Sequence, residues 1–185
     1  VLDPAFEMPQ ADLVVSNPPF VISPRVPDVP VYTYRDAGLP GDDLVHDLIR
    51  TVGEVLTEGG VAQFLGNWEF RRGEAWHDRV AGWFEDLTPD SGRVDAWVVQ
   101  REVQDPAEYA ETWLRDGGQQ RGPEFDRLYR AWLDDFDSRG VEGIGFGLVT
   151  LRRLYDPPAP RPPLRRFEEQ RGGDPAGFGD HVADV

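Results

Sequence analysis

The chain of 185 residues has no cysteine and no lysine, and it has only three histidines. The absence of cysteine excludes disulfides and thiolate metal sites. The histidines, His46, His77 and His181, do not lie at metal-ligand spacing, so we expect no metal site. No apolar run approaches the roughly 20 residues that cross a bilayer, so we expect no membrane span either.

Residues 1–9 have neither the basic start nor the apolar core of a secretory leader, and this predicts a cytoplasmic protein. The net charge is −15, and all the basic residues are arginines. So acidic a chain is a poor nucleic-acid binder by itself, because phosphate contacts need a cationic surface. A nucleic-acid substrate stays open, since a separate basic domain can present it.

Short apolar runs alternate with segments of helical periodicity between residues 11 and 153. The predicted strands span residues 11–16, 61–65, 93–100 and 145–153. The predicted helices span residues 42–56, 74–86, 106–115 and 123–139. Gly59 and Gly60 are predicted to end the first helical unit with a turn. This alternation predicts an α/β fold in which helices cover a mostly parallel sheet.

The composition changes after residue 155. Residues 156–163 read DPPAPRPP, which is typical of a semi-rigid linker. Residues 164–185 are polar and rich in glycine. We therefore predict one domain over residues 1–155, and in residues 156–185 a linker and the start of a further domain that this chain does not include.

The residues with the clearest chemical potential follow the first predicted strand, in the segment Asn17-Pro18-Pro19-Phe20. In open α/β sheets the ligand crevice lies at the carboxyl ends of the strands. The Asn17 side-chain oxygen and the Pro18 carbonyl can accept two hydrogen bonds from one planar amino group, and Phe20 can stack on a flat acceptor. Such a site works by positioning, without a strong base. The alternative is a strand that ends in a proline turn capped by Asn17.

Two further groups are candidates for contact with a substrate. Asn67, Trp68 and Glu69 follow the second predicted strand at the same edge of the sheet. Trp68 is predicted to wall the pocket, with packing or a capping loop as the alternative. Tyr32, Tyr34 and Arg35 lie in the loop after the proline segment, where substrate contact and simple loop anchoring are both open.

The segment DLVVSNPPF resembles the fourth motif of class I methyltransferases that modify amino nitrogens. It is similar to the release-factor glutamine methyltransferases and to the small-domain family that methylates guanine or adenine amino groups in RNA. Residues 42–65 resemble the helix, Gly-Gly turn and fifth strand of these enzymes. The likeness covers roughly residues 1–155 and implies the carboxyl-terminal half of a Rossmann-like sheet with an antiparallel last strand.

The resemblance implies a methyltransferase whose methyl donor is S-adenosylmethionine. Asn17 and Pro18 would hold the target nitrogen, while Pro19 and Phe20 would border it. The acceptor is either a glutamine side-chain amide of a protein or a base amino group of RNA or DNA. The family's glycine-rich cofactor loop and ribose-binding acid would precede Val1, so we expect the cofactor-binding residues upstream and this chain alone to be inactive.

Two other interpretations remain. The stretch of glycines at residues 143–147 leads into a predicted strand, whereas a cofactor loop must follow a strand and open a helix. We therefore do not expect it to bind cofactor. A non-catalytic interaction domain that keeps a methyltransferase-like shell is the alternative function. The intact segment Asn17 to Phe20 argues against that alternative.

Overall fold

The computed structural model describes residues 9–27, 29, 33–155 and 161–170. Its elements are five strands and five α-helices. The strands are β1 (Ala11–Ser16), β2 (Leu56–Arg71), β3 (Val94–Gln104), β4 (Val141–Arg153) and β5 (Arg165–Glu169). The helices are α1 (Thr33–Asp36), α2 (Asp43–Thr51), α3 (Trp76–Gly82), α4 (Pro106–Asp116) and α5 (Pro123–Ser138). Two short 3-10 turns, Val52–Val55 and Pro89–Ser91, complete the described elements.

The strands form one sheet in the order β1-β2-β4-β3-β5. β1 pairs in parallel with β2, and β3 pairs in parallel with β5. β4 is antiparallel to both of its neighbours, β2 and β3. Four strands therefore run in one direction and β4 runs against them. This confirms the predicted α/β fold with a mostly parallel sheet. The antiparallel strand β4 contains the predicted last strand, residues 145–153, although β5 follows it in the chain.

Two hydrophobic clusters hold the helices against the sheet. The first joins α2 and α3 to strand residues that include Phe64, Val98 and Val149. The second surrounds α4 and α5 and takes in two residues of the loop after β1, Val21 and Ile22. Burial of such apolar side chains is the main favourable term in folding. The loop after β1 is therefore part of a core, although it belongs to no strand or helix.

Local sequence explains where α4 and α5 begin. Each starts with a proline, at a position where the missing N–H would have no helical partner in any case. Asp105 caps α4, because its carboxylate accepts hydrogen bonds from the backbone N–H groups of Ala107 and Glu108, both at 2.8 Å. These two helix starts lie where the sequence predicts them.

The second strand is much longer than the predicted residues 61–65, since β2 runs from Leu56 to Arg71 and pairs with β4 along most of its length. Gly59 and Gly60 accordingly lie within β2 rather than at the end of a helix. Gly59 has a positive φ of 80°, and the register between β1 and β2 shifts nearby. The predicted glycine turn is therefore an irregularity inside a strand, because the pairing of Leu56 with Ala11 of β1 starts the strand before it.

β5 lies in the segment that the sequence assigns to a linker and a further domain. Its five residues pair with β3 in the same sheet. The remainder of that segment, residues 156–160 and 171–185, lies outside the described residues. A further domain after residue 163 stays a prediction, with the qualification that Arg165–Glu169 joins the sheet.

β1 stands at one edge of the sheet. Val14 packs against the first cluster, whereas Leu13 and Val15 are 62% and 70% exposed. Successive side chains of a strand point to opposite faces, so the face of β1 that carries Leu13 and Val15 is open. The described part of the chain leaves both this face and the outer edge of β1 uncovered.

Candidate functional site

Asn17 follows β1 directly, at the carboxyl end of that strand. Ser16, the last residue of β1, pairs with Phe64, and β2 continues to Arg71. The backbone therefore leaves the sheet after Ser16, whereas the neighbouring strand β2 continues for seven more residues beyond Phe64. We call residues 17–22 the motif loop. Its position at the carboxyl edge of the sheet is the one that the sequence predicts.

The second half of the motif loop is held by three consecutive backbone N–H groups, each with its own acceptor. The N–H of Phe20 donates to the Pro18 carbonyl at 2.8 Å, which closes a three-residue γ-type turn. The N–H of Val21 donates to the carbonyl of Arg35, also at 2.8 Å. The N–H of Ile22 donates to the Tyr109 hydroxyl at 3.0 Å. The loop therefore has a defined path despite its lack of regular structure.

The Phe20 ring is half-buried and lies against Phe146 of β4, with 5.6 Å between ring centroids. Phe146 is paired with Asn67 of β2 in the sheet. The contact therefore attaches the motif loop to a particular pair of residues in the sheet. Phe20 is therefore anchored without being fully buried.

Asn17 differs from the residues that follow it, because its side chain is exposed. Within the described residues, its amide has no hydrogen-bond partner. The Pro18 carbonyl accepts one hydrogen bond from Phe20, and a carbonyl oxygen can accept two. Asn17 is thus exposed and Pro18 half-buried, and each has an oxygen with acceptor capacity left, on a backbone that two prolines restrict.

Tyr109 connects α4 to the motif loop and to β2. It is buried, and its hydroxyl accepts hydrogen bonds from the N–H of Ile22 at 3.0 Å and from the Asn67 side-chain amide at 2.6 Å. Burial raises the pKa of Tyr109 well above its ordinary value, so the hydroxyl stays neutral. The Asn67 carbonyl oxygen is buried, and no described residue bonds to it. Sequence reasoning missed Tyr109, because nothing in α4 signals a partner 87 residues away.

Trp68 lies in the core rather than beside an open pocket. Its side chain is 0% exposed, and its ring stacks on Trp76 with 5.6 Å between centroids. Its indole N–H donates to the Gln100 side chain at 3.0 Å. This differs from the pocket wall that the sequence predicts, because the alternation of β2 turns Trp68 toward the first cluster. In this structure Trp68 has no surface to present to a substrate.

A cluster of buried charges holds the end of β2. Asp42, just before α2, accepts a hydrogen bond from the backbone N–H of Glu69 at 2.8 Å. It also forms an ion pair with Arg79 of α3. Glu69 is fully buried and is paired with Arg71, at 2.8 Å, and with Arg139. Buried carboxylates need such partners, since an unpaired charge in the interior is costly. The cluster serves as a framework that ties α2, α3 and the end of α5 to β2.

The residues after the motif loop anchor it. Arg35 is buried, and its guanidinium donates to the Trp113 carbonyl and to Asp116, each at 3.2 Å. This favours the anchoring interpretation of Arg35 over contact with substrate. Tyr34 is 73% exposed, which leaves both interpretations of that residue open. Tyr32 lies outside the described residues.

Asp36 fixes the other end of this loop. Its carboxylate accepts a hydrogen bond from the Ser23 hydroxyl at 2.5 Å and forms an ion pair with Arg25 at 3.1 Å. Burial would raise the pKa of Asp36, but the hydrogen bonds from Ser23 and Arg25 outweigh it and hold the pKa below its ordinary value of 3.8. The carboxylate is therefore charged in the folded protein at neutral pH.

The glycines at residues 143–147 lie inside β4, which pairs on both sides. A Cβ on Gly145 would come within 2.4 Å of the Trp68 indole nitrogen, and one on Gly147 within 2.1 Å of the Val99 carbonyl. These glycines allow close packing of the sheet against Trp68. They do not form a cradle for a cofactor, and we assign no cofactor-binding residue in this chain.

Two structural findings and two comparisons with known proteins also bear on the site. Among the described residues, no three histidine or acidic side chains are grouped so as to hold a metal ion. None of the helices in that part of the chain combines the length and the apolar composition of a membrane span. Neither a protein-family model nor a curated protein sequence matches the chain. The methyltransferase resemblance therefore stays a prediction that depends on the motif residues.

Proposed function

We propose that this chain provides the acceptor site of an S-adenosylmethionine-dependent methyltransferase that modifies a planar amino nitrogen, on a Rossmann-like fold. One observation carries the proposal: the exposed Asn17 amide, which has no partner in the described part of the chain, stands at the carboxyl edge of the sheet, on a loop whose following residues are anchored. The antiparallel β4 supports the Rossmann-like assignment.

The chemistry that we assign to the site is orientation of the acceptor. The Asn17 side-chain oxygen and the Pro18 carbonyl each accept one N–H of the target amino group. Two such hydrogen bonds hold the nitrogen with its remaining electron pair directed at a methyl donor, and positioning of this kind lowers the barrier. As the nitrogen gains positive charge, its N–H groups become stronger donors, so both contacts strengthen in the transition state.

The acceptor is a glutamine side-chain amide or a base amino group, since both present two coplanar N–H groups on a flat unit. Phe20, half-buried against Phe146, can stack on either. The net charge of −15 favours a protein acceptor over a nucleic acid for this chain by itself. The test below is designed to separate the two.

Among the described residues, the glycines at 143–147 are packed inside β4, so they do not fit the cofactor. We therefore expect the isolated chain to bind S-adenosylmethionine weakly or not at all. Titration calorimetry checks this directly. Micromolar affinity of the isolated chain would contradict this expectation.

The proposal is tested with the full-length product of the gene, labelled S-adenosylmethionine and a cell lysate. Label that survives nuclease and is lost on protease treatment identifies a protein acceptor, and the reverse identifies a nucleic acid. Asn17→Ala should abolish most of the transfer. Gln10→Ala is the matched control, because Gln10 is an exposed amide just before the opposite end of β1. Equal transfer by the wild type and Asn17→Ala, or no transfer in any fraction, would refute the proposal.

A further inference from the structure

Two contacts from different parts of the molecule meet at one pair of residues in the sheet. Asn67 of β2 and Phe146 of β4 are partners in the antiparallel ladder. Phe146 contacts the Phe20 ring, and Asn67 donates to the Tyr109 hydroxyl, which in turn accepts the N–H of Ile22. Phe20 and Ile22, which are two residues apart in the loop, are thus both connected to the same residue pair of the sheet, Phe20 directly and Ile22 through Tyr109.

From this geometry we infer that Tyr109 is the positioning residue of the motif loop: its hydroxyl, together with Asn67, sets where Asn17 and Pro18 stand relative to the end of the sheet. The inference deepens the proposed function and, as a statement about catalysis, rests on it. As a statement about the loop it stands on the hydrogen bonds alone.

Tyr109 is suited to this role by its surroundings. Its ring lies among Trp113, Trp132 and Phe136, with centroid distances of 6.0, 6.3 and 6.1 Å. A side chain packed on several sides keeps its rotamer, so its hydroxyl presents a fixed acceptor. Asp105 fixes the start of α4 only four residues before Tyr109, through its two capping hydrogen bonds.

The hydroxyl is engaged inside the protein. Burial keeps it neutral, and besides the backbone N–H of Ile22 and the Asn67 amide it has a hydrogen bond with the Trp113 side chain. Val21 and Ile22 lie in the same cluster as Tyr109, so the loop and the helix share one core. Loss of the hydroxyl would leave the N–H of Ile22 and the Asn67 amide without their acceptor in a region closed to water.

The test replaces Tyr109 by phenylalanine, which keeps the ring and removes the hydroxyl. Tyr129→Phe is the matched control, because Tyr129 belongs to the same cluster but sits on α5, where its ring stacks on Phe125. Amide hydrogen exchange is followed residue by residue in the wild type and both variants. We expect exchange at Ile22 to become about tenfold faster in Tyr109→Phe and to spread into residues 17–21. Tyr129→Phe should leave these rates unchanged.

Unchanged exchange at Ile22 in a folded Tyr109→Phe protein, or equal changes in both variants, would overturn the inference. If Tyr109→Phe does not fold, the wild type still decides the matter. A slowly exchanging Tyr109 hydroxyl proton with a nuclear Overhauser effect to the Ile22 amide supports the anchor, and rapid exchange of the Ile22 amide in the wild type refutes it.

Methyl transfer by the same three full-length proteins separates this inference from the proposed function. With the loop loosened, kcat should fall about tenfold in Tyr109→Phe while the affinity for S-adenosylmethionine is unchanged, since misplacement affects the reacting geometry. Faster exchange at Ile22 without methyl transfer by the wild type would leave the positioning role intact and refute the proposed function. If Tyr109→Phe showed wild-type exchange at Ile22 and wild-type methyl transfer, the positioning role would be refuted and the proposed function would stand.

Discussion

The two ends of the motif loop differ sharply in how they are held. At Phe20, Val21 and Ile22 each backbone N–H has its own acceptor, and Ile22 is 0% exposed. At Asn17 the side chain is exposed and has no partner in the described part of the chain. The difference separates two tasks within six residues. The anchored end defines a position, and the free end presents polar atoms at that position.

The same division extends to the residues around the loop. Trp68, Glu69 and Asp42 are buried, with their polar groups engaged inside the protein. Polar groups that are satisfied internally contribute to stability and are not available to a ligand. Substitutions in the framework should therefore change the free energy of unfolding, whereas substitutions at Asn17 should change activity alone.

The largest effect is expected for Trp68→Ala. Removal of a fully buried tryptophan leaves a cavity and should lower the free energy of unfolding by about 3–5 kcal/mol. Urea denaturation measures it, with Trp113→Ala as the control, because Trp113 is only half-buried and should cost less. If Trp68→Ala left stability intact and instead weakened acceptor binding, Trp68 would belong to the site after all.

Asn17→Ala should produce the reverse pattern. A lost hydrogen bond to a developing charge costs about 1.5–3 kcal/mol in the transition state, which is roughly a ten- to a hundredfold loss in kcat. The free energy of unfolding should stay within about 0.5 kcal/mol of the wild type, because the side chain is exposed. Steady-state kinetics of the full-length protein and urea denaturation give the two values. Near-normal turnover would end the claim that Asn17 holds the methyl acceptor.

Phe20→Ala lies between the two patterns, since the ring packs on Phe146 and also borders the exposed Asn17. We expect a loss of about 1 kcal/mol in stability from the missing aromatic contact. The Michaelis constant for the acceptor should rise with little change in kcat, because stacking is present in ground and transition states alike. A fall in kcat with an unchanged Michaelis constant would assign Phe20 to loop positioning instead.

The smallest change in stability is expected for a substitution of Asp36, which bonds to Ser23 and Arg25 in the segment after the motif loop. Its folded-state pKa is lowered, so its contribution to stability is complete above the ordinary value of 3.8 and is lost as the pH falls through the lower folded value. Asp36→Asn should therefore be less stable than the wild type at pH 7, and the difference should shrink below about pH 4. Urea midpoints between pH 7 and pH 3 measure it.

Asp126→Asn is the control for the Asp36 series, because Asp126 is exposed on α5. Its difference from the wild type should be small at every pH. A gap between the wild type and Asp36→Asn that widened on acidification would mean that the ion pair with Arg25 does not govern this loop.

Much of the fold follows from local sequence. The first strand, Ala11–Ser16, has the predicted bounds, because an apolar run that ends at Asn17-Pro18 has a clear stop signal. The prolines at the starts of α4 and α5 mark those helices equally well. The place of the motif loop at the carboxyl edge of the sheet is also a local inference, since it needs only the direction of one strand.

Asp42 shows where local inference stops. Asp42 immediately precedes α2, at a position where an aspartate commonly caps a helix. Its side chain, however, makes no capping hydrogen bond and bonds instead to Glu69 and Arg79. A charge-assisted bond to the partly buried guanidinium of Arg79, 37 residues away, is stronger than a hydrogen bond from a local N–H. The pattern of residues before α2 contains no sign of that partner.

By itself, the sequence determined the types and order of the strands β1 to β4 and the helices α2 to α5, and the place of the NPPF segment after β1, because periodicity, proline and composition act within a few residues of each other. Only the tertiary structure decided the length of β2, the burial of Trp68 and the bond between Tyr109 and Ile22. Each of these depends on residues far apart in the chain, since β2 lengthens by pairing with β4 and the Tyr109 hydroxyl reaches a loop 87 residues away. Backbone groups and side chains find their partners across the whole folded chain, so these three features cannot be read from neighbouring residues in the sequence.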